Sequence, residues 1–167
     1  MLICEGEEIP CHRLILCSRC PVIADGLAAM SQENSGKWTV TDSNPEAVKD
    51  TLHFLYRGKF RGLETRPTEL LHLASFYRLP ELEKASKEEL VRGLTAENAV
   101  EILVNVDKYA PDDSKVKEIV IGFIKMNARE VVEGKDWQVI AKNYSKLVTD
   151  IVKAIVYYET IRDKVEF

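Results

Sequence analysis

The longest apolar run in this chain is about six residues, Ile119 to Ile124 counting Gly122, against the roughly 20 that a membrane-spanning helix needs. A basic block is also missing. The 23 Lys and Arg are outnumbered by 27 Asp and Glu, the net charge is −4, and a nucleic-acid partner, whose phosphates need clustered cations, is not expected. No secretory leader is legible, because Met1-Leu2-Ile3-Cys4 gives way at once to Glu5, Glu7 and Glu8. The four cysteines all fall within the first 20 residues, which is no disulfide framework for a chain of this length. A reducing compartment, nuclear or cytoplasmic, is therefore the expectation. Low-complexity segments, clear repeats and phosphate-binding glycine loops are absent too. What remains is 167 residues, 46% of them hydrophobic, enough for one domain or a small domain with a helical extension.

The N-terminal "LICEGEEIPCH" reads as a hairpin turning at Glu5-Gly6 or Gly6-Glu7, with Pro10 placing the second strand at an edge. His12 to Arg19 and Pro21 to about Met30 read as helices, "QENSGK" as a loop, and residues 37–42, "KWTVTD", as a strand by alternation and β-branching. Asn44 and Pro45 open a helix that Gly58 ends. Further helices are predicted over Pro67 to Leu79, with Tyr77 turned toward a core, and from Pro80 to Gly93. After them come a helix capped by Thr95 and another over 112–128 with apolar Val116, Ile119, Val120, Phe123 and Ile124. The last is expected at about 145–165, with Leu147, Val148, Ile151, Val152, Ile155 and Val156 on a wide apolar face. The chain thus reads as α+β: a mixed part over residues 1–93 and all-helical hairpins over 94–167.

Chemistry is sparse. Cys17 and Cys20 form a single Cys-x-x-Cys. Cys4 and Cys11 on the hairpin would have to complete a four-cysteine zinc set, since no second pair follows. A redox dithiol would sit between a strand and a helix, whereas this pair ends a helix. His53 and His72 fall inside helical patterns, and Glu88-Glu89 and Asp112-Asp113 read as solvated helix charges. No cofactor, metal or catalytic set is expected, and an enzyme is not.

The order hairpin, helix pair, strand, helices resembles a BTB/POZ domain. The resemblance rests on "CHRLILCSRCPV", similar to the family's Ala-His-Arg/Lys-x-x-Leu-Ala-Ala-x-Ser-Pro-Val/Phe, on "VTDSNPEAVKDTLHFLYRGKF" and on "LLHLASFYRLPEL". "LTAENAVEILVNVDKY" looks like the start of a BACK, or three-box, region. Among BTB proteins the likeness is strongest to the speckle-type POZ group, adaptors of cullin-RING ubiquitin ligases.

That resemblance implies binding in place of catalysis. The family's hydrophobic-x-Glu motif at the cullin interface aligns with Met30-Ser31-Gln32, with Tyr77 as a further contact residue. Met30 keeps the apolar anchor, while Gln32 lacks the carboxylate, a difference on the order of 1–2 kcal/mol in one charge-assisted hydrogen bond. Self-association is implied at Leu147, Val148, Ile151, Val152 and Ile155, unless that face packs on residues 116–124. On this resemblance the sequence starts inside the family's first strand, without the N-terminal helix that forms much of the BTB dimer interface, which puts the usual homodimer contact in doubt. With no MATH substrate domain in these residues, the expectation is either a fragment of a longer chain or a shortened member. A self-associating scaffold or transcriptional regulator is the alternative to a ligase adaptor. In the opening motif, Cys11 and Cys17 replace small apolar residues. Cys20 replaces the Ser that would cap the next helix, and is the expected reactive thiol if exposed.

Overall fold

The computed structural model describes residues 1–29, 37–41 and 43–165, with side chains as far as Val156. The described residues form two compact units, Met1–Glu89 and Leu90–Phe167.

The first unit begins with the hairpin. Strands β1 (Leu2–Cys4) and β2 (Glu7–Ile9) are antiparallel, with Leu2 opposite Ile9. The two residues between them, Glu5 (φ 50°) and Gly6 (φ 83°), both take positive φ, the requirement of a type I′ turn. Strand β3 (Trp38–Val40) joins β1 in parallel, giving the order β2-β1-β3 and leaving both β2 and β3 at edges, as Pro10 implies for β2. A parallel neighbour requires a crossover, and helices α1 (Arg13–Arg19) and α2 (Pro21–Ala29) lie in it.

Helix α3 (Pro45–Arg57) starts and stops as its sequence dictates. Asn44 Oδ1 accepts from Ala47 N at 2.8 Å, Pro45 fills the first turn, and Gly58 follows the helix at φ 65°. Helices α4 (Pro67–Phe76) and α5 (Pro80–Arg92) follow, α4 ending a turn short of the predicted Leu79 because Arg78 turns left-handed. Between α3 and α4 the chain folds back over the buried Asp50, whose carboxylate is paired by Arg61 (2.8 Å) and Arg66. Gly62 (φ 73°) passes so close to Asp50 Oδ2 that no side chain would fit. The core gathers Leu2, Ile9, Leu16, Ile23, Leu55 and Leu73. His12, the first conspicuous polar residue of the opening motif, ties helix to helix: its backbone N donates to Tyr56 Oη at 2.6 Å and its ring nitrogen lies 2.9 Å from the same oxygen.

The second unit is helical: α6 (Ala99–Tyr109), α7 (Ser114–Met126), α8 (Ala128–Glu133), α9 (Lys135–Asn143) and α10 (Ser145–Val165). Thr95 and Asn98 exchange side-chain to backbone hydrogen bonds at 2.8 and 3.3 Å just ahead of α6, the reciprocal logic of a capping box. Asp113 caps α7 through Val116 N at 3.1 Å. Consecutive helices α6 and α7 pack together as a pair, and further contacts of α6 with α9 and of α10 with α7 and α9 close the helices into a cluster. Only Val120 and Ile124 of the predicted α7 stripe are fully buried, and Ile119 is exposed. Helices α8 and α9 were not legible as elements. They bury one side chain each, Val131 and Ile140, too few to write a periodicity.

Candidate functional site

Met30, Ser31 and Gln32 lie outside the described residues. The elements on either side, α2 ending at Ala29 and β3 beginning at Trp38, are described, and they bracket a built surface. Trp38 is half-buried. Its six-membered ring lies flush on the backbone of Gly26 in α2, where a Cβ would overlap Cη2 and Cζ3. Its Nε1 donates to Tyr77 Oη at 3.3 Å, and its backbone N donates to Met1 O at 2.9 Å. The ring is thereby held by a helix, a strand and a tyrosine at once.

A cavity of about 100 Å³ opens beside it, with residues 38–41 on one side and His72, Leu73, Phe76 and Tyr77 on the other. Phe76 stands at this cavity 58% exposed, edge-on to Tyr77 with ring centroids 5.0 Å apart and planes at 86°. Burying so large an apolar ring against a partner releases it from water at about 25 cal/mol per Å². Tyr77 itself corrects the expectation made of it. At 4% exposed it is a buried support under Phe76 and Trp38 and presents almost no surface to a partner. Burial, opposed by the Trp38 hydrogen bond, pushes its hydroxyl up to about 12.

The thiols are also corrected. Cys20 does precede α2, but it is fully buried and donates to Tyr77 O at 3.5 Å, so the exposure on which its reactivity depended is not there. Loss of solvation raises its pKa more than the Val22 and Ile23 amides at the helix start lower it. Cys4 is buried, donates to Ser43 O at 3.0 Å and is likewise raised, first by burial and then by Glu5 and Glu7. Cys11 and Cys17 are half-buried, and all four are free thiols. Among the described residues no three His, Cys, Asp or Glu side chains converge to hold a metal. No described helix is long and apolar enough to cross a membrane.

The C-terminal face is divided by its own packing. Leu147 and Ile151, expected at a self-association surface, are buried inside the second unit, and Val148 and Ile155 are half-buried. What remains outward on α10 is a ridge of Val152 (47% exposed) and Val156 (55%), one turn apart. Sequence reasoning missed the Gly26–Trp38 contact and the Asp50 clamp. A glycine in mid-helix is the one signal that pointed to the first.

This small sheet, with helices before and after its third strand and a half-buried Trp38 and buried Tyr77 beside the exposed Phe76, defines a small α+β domain. The BTB/POZ domain profile matches residues 1–94, and the chain belongs to that family, whose domain works in protein–protein interaction. Its curated relatives include two mouse proteins, from Mus musculus. TD and POZ domain-containing protein 5 is 29% identical over 150 residues, covering 88% of this chain and 44% of the relative. TD and POZ domain-containing protein 1 is 27% identical over 157 residues, covering 92% and 42%. The chain thus spans less than half the length of these relatives. The relatives named are TD and POZ domain-containing proteins, which does not narrow the family to the speckle-type group.

Proposed function

We propose that the chain is the scaffold-binding part of a cullin-RING ubiquitin-ligase adaptor, and that it meets the cullin through Met30, Ser31 and Gln32 together with the Phe76 face. The observation that carries this is the exposed Phe76 beside a cavity built from the strand that follows the Met30-Ser31-Gln32 segment, in a chain of the BTB/POZ family. The helices after residue 94 serve in this reading as a partial BACK, or three-box, region that extends the contact. Substrate would be recruited by other parts of a longer protein, working in the nucleus or cytoplasm. The test is binding of the purified chain to a cullin N-terminal domain by calorimetry. Micromolar or tighter binding is expected, lost in Met30→Glu, weakened in Phe76→Ala and strengthened in Gln32→Glu. No binding by the wild type, or equal binding by the wild type and Met30→Glu, defeats the reading.

The α10 ridge favours a second reading, a self-associating scaffold without a ligase role. Light scattering across concentration distinguishes it: Val152→Glu is expected to shift oligomers to monomer with the fold intact. A wild type that stays monomeric removes it.

A further inference from the structure

A second groove, of about 280 Å³, lies on other elements of the first unit, where the ends of α1 and α3 meet the start of α5. Its apolar wall is Phe54, Leu55 and Leu79, all buried, continued by the exposed Pro80. Two arginines line it, Arg19 and Arg78, against one acidic residue, Glu81. Arg19 Nε is spent on Leu55 O at 3.1 Å, but no ion pair engages either arginine, or Glu81, among the described residues. Gly58 lines the groove too, between Arg57 and Lys59 in the chain, both exposed. A protein of net charge −4 therefore gathers cations around one groove.

Arg78 adds a second observation. It sits at φ 53°, the left-handed residue that closes α4, with its N donating to Ser75 O at 3.2 Å and Leu79 N donating to Ala74 O at 2.8 Å. Glycine is the residue this capping turn favours, because a Cβ is crowded at positive φ. Here the chain keeps an arginine at a strained position beside a groove, and the backbone alone gives no reason for it.

We propose that this groove docks an acidic peptide segment of a partner protein, one that pairs Asp or Glu side chains with Arg19 and Arg78 and lays an aliphatic or aromatic side chain against the exposed Pro80, over the floor that Phe54, Leu55 and Leu79 form. Arginine suits the pairing because its planar fork meets a carboxylate with two parallel hydrogen bonds. The pairing also resists a glutamate rim: two guanidinium groups outweigh Glu81 at the groove, and Arg57 and Lys59 add to the attraction at a distance.

The experiment presents the full chain to an array of short synthetic peptides, each with one central Leu or Phe flanked by Asp/Glu, by Ser/Gly or by Lys/Arg. The acidic set is expected to bind at least about tenfold more tightly than the neutral and basic sets, with affinity falling as salt rises. Arg78→Gly is the decisive variant, because it removes the guanidinium while relieving the left-handed strain. It should lose about tenfold in acidic-peptide affinity with a melting temperature equal to or above that of the wild type. Arg19→Ala should lose a similar factor, and cullin binding should be unchanged in Arg78→Gly. Equal binding of acidic and neutral peptides overturns the proposal, as does full affinity in Arg78→Gly. An equal loss in Arg129→Ala, far along the chain in the other unit, overturns it as well, since the attraction would then be general charge.

Discussion

Gly26→Ala tests the packing of Trp38 on α2, beside the Phe76 cavity. In an exposed helix interior this change stabilises by about 1 kcal/mol, because alanine is the better helix former. At this position the new methyl would occupy the space of the Trp38 ring. The ring cannot retreat and keep its bonds, for Nε1 is held by Tyr77 Oη at 3.3 Å and the backbone N by Met1 O at 2.9 Å. Swinging the indole outward loses a hydrogen bond worth about 1 kcal/mol and leaves a buried tyrosine hydroxyl unpartnered, a further 1–3 kcal/mol or so. Keeping it in place forces overpacking of about 1–3 kcal/mol. After the helix gain is subtracted, the swing costs about 1–3 kcal/mol and the overpacking about 0–2, and the cheaper response sets a net destabilisation of about 0–2 kcal/mol. The measurement is urea unfolding in a Trp137→Phe background, which leaves Trp38 as the remaining one of the chain's 2 tryptophans. The midpoint should fall at unchanged slope, and the folded emission should shift to the red. Shrinking the ring with Trp38→Phe should remove most of the penalty, a coupling visible in a double-mutant cycle. A more stable Gly26→Ala with unaltered emission would refute the contact.

Three further predictions concern the buried polar groups. The Tyr77 hydroxyl is neutral in the fold and raised to about 12 from the ordinary 10.0, so its share of stability is complete below pH 10 and disappears as pH climbs through 12. The loss is up to about 2–3 kcal/mol; Tyr77→Phe, about 1 kcal/mol weaker at neutral pH for want of the Trp38 bond, should lack this alkaline slope, and parallel slopes would contradict it. Asp50→Asn keeps the shape but not the charge facing Arg61 and Arg66 and should cost about 2–3 kcal/mol, toward the low end for a buried pair because the arginines can turn to water; a thermal melt within error of the wild type would show that the clamp adds nothing. Under native conditions a maleimide should label Cys11 and Cys17 before Cys4 and Cys20, whose burial both blocks access and disfavours the thiolate, and fastest labelling of Cys20 would contradict the burial.

Much of the fold was legible because its signals are local. Pro21, Pro45, Pro67 and Pro80 each open a helix where predicted, and Gly58 closes one. Each acts through its own φ or its own missing donor, independent of the rest of the chain. The turn, expected at Glu5-Gly6 or Gly6-Glu7 and found at the first, and the strand expected over residues 37–42 and found at Trp38–Val40, also rest on local signals. The chemistry of the opening motif was misjudged at one place for the opposite reason. Whether Cys20 is a reactive thiol depends on Tyr77, 57 residues away, whose carbonyl it meets, and no spacing in the motif encodes that distance.

The division runs along the same line throughout. By itself the sequence determined the α+β order and the helix starts at Pro21, Pro45, Pro67 and Pro80, since proline, glycine and hydrophobic period act within a few residues. Only the tertiary structure decided that β3 enters beside β1 in parallel, that Trp38 rests on Gly26, that Tyr77 supports the face it was expected to form, and that Leu147 and Ile151 turn inward while Val152 and Val156 stay out. These are facts of burial, and burial is settled by which distant surfaces meet and how much apolar area they take from water. A residue's neighbours in the chain do not contain that information.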